Sequence, residues 1–150
     1  MSRIRIQMAL VVVAVAIAVL AASAQASSPE HNMLAKVNHF RRAHGLRIVH
    51  ASGSLAGSAS RYAHSLMRSG YFGHSNRIHA SRRFRRLGEI LEIQRGLRPG
   101  VRIAFHTWLR SPGHRAIISD PSFDYAGAGR ATGNFHGHRS TIWVMHFGRP

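Results

Sequence analysis

The alternation of apolar and polar positions along the chain changes period twice. Met33, Leu34, Val37 and Phe40 recur at helical spacing. They follow Ser28-Pro29-Glu30, a serine cap, a proline at the first helical position and an acid in the first turn, and they precede Gly45. A second amphipathic stripe runs through Leu55, Ala59, Tyr62, Ala63 and Leu66, starting near Ser52 to Ser54 and ending at Gly70. The stretch "YFGHSN" that follows reads as a loop. "HASRRFRRLG" predicts a short helix, with Ala80, Phe84 and Leu87 on its apolar edge and Gly88 as its stop. Glu89 to Gln94 fits either a short buried strand or irregular chain. Pro99 opens a further helix with Val101, Ala104, Phe105 and Trp108 facing inward, and Ser111-Pro112 starts another, capped by Ser111 and carrying His114 in its first turn.

The last third switches to period two. "FDYAGAGRA" and "RSTIWVMHFG" are rich in β-formers and are separated by the turn-like "TGNFHG", and "TGNFHGHRS" reads as the most flexible stretch. Trp143, Met145 and Phe147 lie on one side of the final strand, and Ile142 and Val144 on the other. A strand apolar on both faces belongs to a sheet covered on both faces. The pattern therefore predicts an α+β fold, an α-β-α sandwich around a small antiparallel sheet.

The beginning of the chain is of another kind. Arg3 and Arg5 precede an uninterrupted apolar run, and "AQA" at Ala24 to Ala26 supplies small residues at cleavage positions. This reads as an export signal over residues 1–26, followed by a single domain over 27–150. The apolar run is about 15 residues long, short of the roughly 20 that a membrane-spanning helix needs. The expected location is therefore secreted or envelope-associated. The chain contains no cysteine, which excludes thiol catalysis, disulfides and cysteine metal sites. Its formal charge is +16, with Lys36 the only lysine among 21 basic residues. For an exported protein, anionic envelope polymers or lipid headgroups match that charge better than nucleic acid does. A solvated, arginine-biased surface accounts for it equally well.

Twelve histidines make any single one weak as a sign of chemistry. His74, just beyond the second helix, Glu89, one of five acids, and His114 form a set of two imidazoles and a carboxylate. Such a set suits a divalent cation, zinc above all, or a polar cluster in which the carboxylate orients an imidazole. Ser111 is a hydroxyl near His114, but capping explains it and no G-x-S-x-G elbow is present. His136 and His138 form an H-x-H in the expected turn. His146 sits on an apolar strand as a satisfied or edge histidine. Arg82 to Arg86 form a solvated face, and "GAGR" at Gly127 to Arg130 precedes no helix that would cradle a phosphate.

The wording of the chain adds to its periodicity. "VNHFRRAHGL", Phe72-Gly73-His74, "RLGE", "WLRSPGHR", "FDYAGAG" and "TIWVMHFG" together resemble the bacterial SCP-like branch of the CAP superfamily. That superfamily groups cysteine-rich secretory proteins, antigen 5 and plant pathogenesis-related-1 proteins. "SPGHR", with Trp108 three residues before Ser111, is the most specific piece, and the resemblance spans the expected mature chain. It implies an α-β-α sandwich with an open cleft lined by two histidines and acids. His74 and His114 match the family histidines, and Glu89 matches the acid of the family's "GEN" block. The chain departs at Ile90, where that block has asparagine, and at Ser111, near which eukaryotic members carry a second acid. What the resemblance implies is a metal site of at most three ligands (His74, Glu89, His114) in a cleft that also includes Ser111. The leading expectation is a binding module with an unidentified ligand in that cleft. The alternatives are a metal-dependent hydrolase or peptidase of the cell envelope and a polyanion-binding protein.

Overall fold

The computed structural model describes residues 27–150; the export signal expected over 1–26 lies outside the described residues. Helix α1 (Pro29–Ala43) begins as expected, Ser28 Oγ accepting from the His31 amide at 3.1 Å, and the chain turns away through His44 and Gly45 at φ 69°. Strand β1 (His50–Ala51) leads into α2 (Gly53–Ser69), which Ser52 caps and a left-handed Gly70 ends. Strand β2 (Arg86–Arg95), helix α3 (Val101–Arg110), helix α4 (Pro112–Ser119) and the hairpin β3 (Tyr125–Phe135) and β4 (His138–Arg149) complete the domain.

The four strands lie in the order β1-β3-β4-β2, with β1 parallel to β3 and the other pairs antiparallel. β4 is central and its two faces feed two cores. Trp143, Met145 and Phe147 pack with Met33, Val37, Trp108 and Ile118 under α1, α3 and α4. Ile142 and Val144 pack with Ala59, Ala63 and Leu66 under α2. The α-β-α sandwich read from the two-faced strand is the observed architecture. α2 approaches β3 so closely that a Cβ on Gly127 would stand 2.2 Å from the Ala56 amide nitrogen, and one on Gly129 would stand 2.1 Å from that of Ser60. The glycines of "GAGR" therefore serve helix–sheet contact.

Two elements differ from expectation. The helix predicted over "HASRRFRRLG" is absent: residues 81–84 make one turn, closed by the Phe84 amide on the Ser81 carbonyl, and β2 starts at Arg86. Gly88 is not a helix stop but a ladder residue opposite Phe147, where a Cβ would meet the Phe123 ring at 2.8 Å. The arginine run is partly engaged: Arg83 stacks on Phe84 and Tyr125, and Arg86 pairs with Asp120 at 2.6 Å. The stretch read as a flexible turn is instead ladder almost to its tip, with Phe135 opposite His138. Only His136 and Gly137 turn the chain, both at positive φ, the backbone that a two-residue hairpin loop requires.

Arg41 is the largest polar side chain in the interior. Its guanidinium donates to the carbonyls of Arg47, Ile118 and Asp120 at 2.7–3.0 Å, tying α1 to the segment between α4 and β3.

Candidate functional site

β2 is an edge strand, and Glu89 lies near its start with 7% of its surface exposed. Four donors reach its carboxylate. The Ser75 amide and His74 Nδ1 bond Oε1 at 2.8 and 2.9 Å, and the Ser75 hydroxyl and His146 Nε2 bond Oε2 at 2.9 Å each. Burial pushes the Glu89 carboxyl up. The bonds from His146, the Ser75 amide, His74 and the Ser75 hydroxyl outweigh it and hold the pKa at about 2. Glu89 is thus a carboxylate, an acceptor only, so His74 Nδ1 and His146 Nε2 each carry a proton toward it. In the neutral form of each ring the lone pair is then on the other nitrogen, Nε2 of His74 and Nδ1 of His146.

His74 is placed by the end of α2 and is 62% exposed at its side chain. His114 arrives from the first turn of α4, its Nδ1 buried and without a partner among the described residues. Burial, and then the charge of His74, lower the His114 pKa, which places the two imidazoles within electrostatic reach of one another. Ser111 joins α3 to α4 and takes the N-cap position, but its hydroxyl makes no capping bond; the expected cap is made by backbone alone, Arg115 N on Ser111 O at 2.9 Å. The structure therefore joins His74 directly to Glu89 and brings His114 near His74. Among the described residues no group of three histidine, cysteine, aspartate or glutamate side chains is placed to hold a metal ion.

A model of the cysteine-rich secretory protein family, CAP, matches residues 34–147. The chain belongs to this family. Solved structures of CAP proteins share its fold. An outer surface protein of Borrelia burgdorferi superposes with a TM-score of 0.64 at 20% identity, over 79% of this chain and 90% of that one. An extracellular protein containing an SCP domain from Bacillus anthracis gives 0.65 at 20% identity, over 81% of this chain and 40% of that one. Venom allergen-like protein 4 of Schistosoma mansoni gives 0.61 at 12% identity, over 82% and 89%. No curated protein matches the sequence.

Beside the His74–Glu89 pair this CAP domain has a cavity of about 540 Å³ between α2 and the segment 71–79. Tyr62 and Ser58 of α2 form one wall, His74, Asn76 and Arg77 of the segment the other, and His146 belongs to the sheet beneath. Two side-chain bonds strap the segment to α2, Tyr62 Oη on Gly73 O at 2.7 Å and Arg61 on His79 O at 3.1 Å, and just beyond it the Ser81 amide donates to Ser54 Oγ at 2.6 Å. His114 and Ser111 do not line this cavity.

Sequence reasoning missed Ser75 and His146. Ser75 lies inside the quoted loop, but its double bond to Glu89 depends on loop conformation. His146 reads as an isolated strand histidine until the register sets it opposite Glu89. The one available sign was a lone imidazole in a strand otherwise apolar on both faces. His136 and His138 do not act together: His136 Nε2 meets Gly70 O at 2.7 Å, and His138 Nδ1 meets Arg95 at 2.9 Å.

Proposed function

We propose that this CAP domain is an extracytoplasmic binding module whose cleft is built on the His74–Glu89–His146 cluster and His114. The observation that carries the reading is the Glu89 carboxylate, two of whose four hydrogen bonds hold imidazoles in fixed tautomers while the other two anchor Ser75. Preorganisation of that kind favours binding, because little ordering is left for the moment of contact. The apolar leader followed by "AQA" supports a location outside the cytoplasm. So does the likeness to an extracellular SCP-domain protein.

What supports a divalent cation is the His114 Nδ1, buried without a partner among the described residues and within electrostatic reach of His74; a cation there would be held by His74 Nε2 and the His114 ring and completed by water. Glu89 fits less well as a third ligand, since both its oxygens are bonded inside the protein. Its role is the outer one, fixing the ring that would hold the ion. A cation bound there would polarise an oxygen of the cleft's ligand. The same His74–Glu89 pair favours a second reading, a metal-dependent hydrolase in which a cation held by His74 would activate a water while Glu89 fixes the ring.

Zinc titration calorimetry on the wild type and His114→Ala, at pH about 7.5 and about 5.5, tests both readings, because imidazoles must be neutral to bind metal. The binding module shows uptake at the higher pH that His114→Ala removes, and no turnover of peptide or wall-polymer pools. Metal-dependent turnover abolished by Glu89→Gln replaces it with the hydrolase. Wild-type protein that takes up no zinc removes the cation from the proposal.

A further inference from the structure

The cavity between α2 and segment 71–79 has a lining that the cation cleft does not explain. It is furnished with hydroxyls and amides, Ser58, Tyr62, Ser65 and Asn76, and its charged members Arg61 and Arg77 are both cationic. Glu89, the nearest acid, stands behind His74, Ser75 and His146 with its charge already met by four donors. At about 540 Å³ the cavity falls in the size class of small-molecule sites, roughly 300–1,000 Å³.

His146 sharpens the chemistry. Its side chain is 1% exposed, it is one of the residues lining the cavity, and its Nδ1 has no hydrogen-bond partner among the described residues. Its Nε2 proton is committed to Glu89, so in the neutral ring this nitrogen is a lone pair awaiting a donor. A buried polar atom left in that state is costly. The atom is closed off from solvent, so a ligand that opens the lining enough for its hydroxyl or one water to enter would supply the missing donor. Tyr71, 60% exposed at the rim, offers a flat aromatic face to a ring standing in the mouth.

We propose that this cavity is a second subsite, adjoining the cation cleft at His74 but apart from His114, that binds an acidic saccharide: a hydroxyl-rich sugar ring carrying a carboxylate or phosphate. Arg77 and Arg61 take the anionic group, the forked guanidinium matching its oxygens, and the serines, Asn76 and His146 take the hydroxyls. The ring comes either as a free sugar acid or as a unit of an anionic envelope polymer. The inference rests on the binding-module reading, but not on the cation.

The test is calorimetry on the full chain with galacturonate, an oligogalacturonide, the neutral galactose oligomer and inorganic phosphate, at about 0.15 M salt. The oligogalacturonide binds. Arg77→Ala weakens it by about tenfold, and Arg61→Lys, which keeps charge but loses the fork, weakens it as well. His114→Ala leaves it unchanged, and amide shifts map to Ser58, Ser65 and His146. Galacturonate alone binding as tightly assigns the free sugar acid; the oligomer alone binding assigns the polymer. A circular-dichroism spectrum and thermal midpoint of Arg77→Ala equal to wild type report an intact fold. Equal affinity for the neutral oligomer, equal affinity for phosphate, or no saccharide binding by folded wild-type protein overturns the subsite, whether or not zinc binds.

Discussion

Two glutamates three residues apart on β2 meet opposite fates. Glu89 faces α2 and is held as a carboxylate by four donors. Glu92 points to the other face, is 6% exposed, and has its Oε2 without a partner among the described residues. Burial pushes its carboxyl up to about 7. The linkage signs follow. Glu89, with its folded pKa depressed, contributes stability that is present above about pH 4.5 and lost as pH falls toward 2, about 3 kcal/mol for a shift of this size. Glu92, with its folded pKa raised, favours the fold only while protonated, so stability is lost as pH rises from about 4.5 through 7. Glu89→Gln should therefore lower the unfolding free energy at pH 7 by about 2–4 kcal/mol, with the loss shrinking toward pH 2. Glu92→Gln should raise it by about 1–3 kcal/mol at pH 8 and change little at pH 4. Urea denaturation across that range checks both. Glu89 could be picked from the sequence as a site residue because it follows Gly88 in a recognisable block. The fate of Glu92 could not, because it depends on which face of a strand lies over which helix.

At the scale of elements, the helices with caps and stripes were legible: Ser28-Pro29, Ser52 and Gly70 bound α1 and α2 where the chain indicates. The start of β2 was not. Ala80, Phe84 and Leu87 have helical spacing, yet Phe84 packs toward Tyr125 and Leu87 joins a ladder with Gly148. A long-range partner, β4, overrides the local period. The hairpin tip was read as flexible for a related reason: "TGNFHG" has turn composition, but all but two of its residues pair across β3 and β4. Gly127 and Gly129 gain their meaning at this scale. Gly129→Ala puts a methyl group against the backbone of α2 at Ser60, where no side chain can yield, so the helix must move off the sheet. The expected cost is about 3 kcal/mol or more, near the upper end for overpacking, with lower protection of α2 amides in hydrogen exchange. Gly137→Ala, at a position with open space but a φ of 81°, should cost only about 1 kcal/mol.

Over the whole molecule the five acids are all spoken for. Glu30 pairs with Arg130, Asp120 with Arg86 and Asp124 with Arg47; Glu89 is enclosed by its donors and Glu92 is buried. No acid is left free to offset the remaining arginines, so the charge the surface exposes beyond its ion pairs is positive. That charge could be counted from composition, but the withdrawal of the acids could not. A field of this kind attracts any polyanion and is screened over about 8–10 Å at physiological salt. Retention on a generic polyanion such as heparin should therefore fall steeply between about 0.05 and 0.5 M salt, with a log–log slope of several. It should be indifferent to His114→Ala and only slightly reduced by Arg77→Ala. Saccharide binding in the cavity should behave otherwise, losing less to salt than to loss of the Arg77 fork, because its affinity rests partly on hydroxyl contacts. Measuring both salt slopes on the same protein separates surface attraction from a built site. If the two slopes coincide and Arg77→Ala changes neither, the positive field alone governs the binding of anions by this domain.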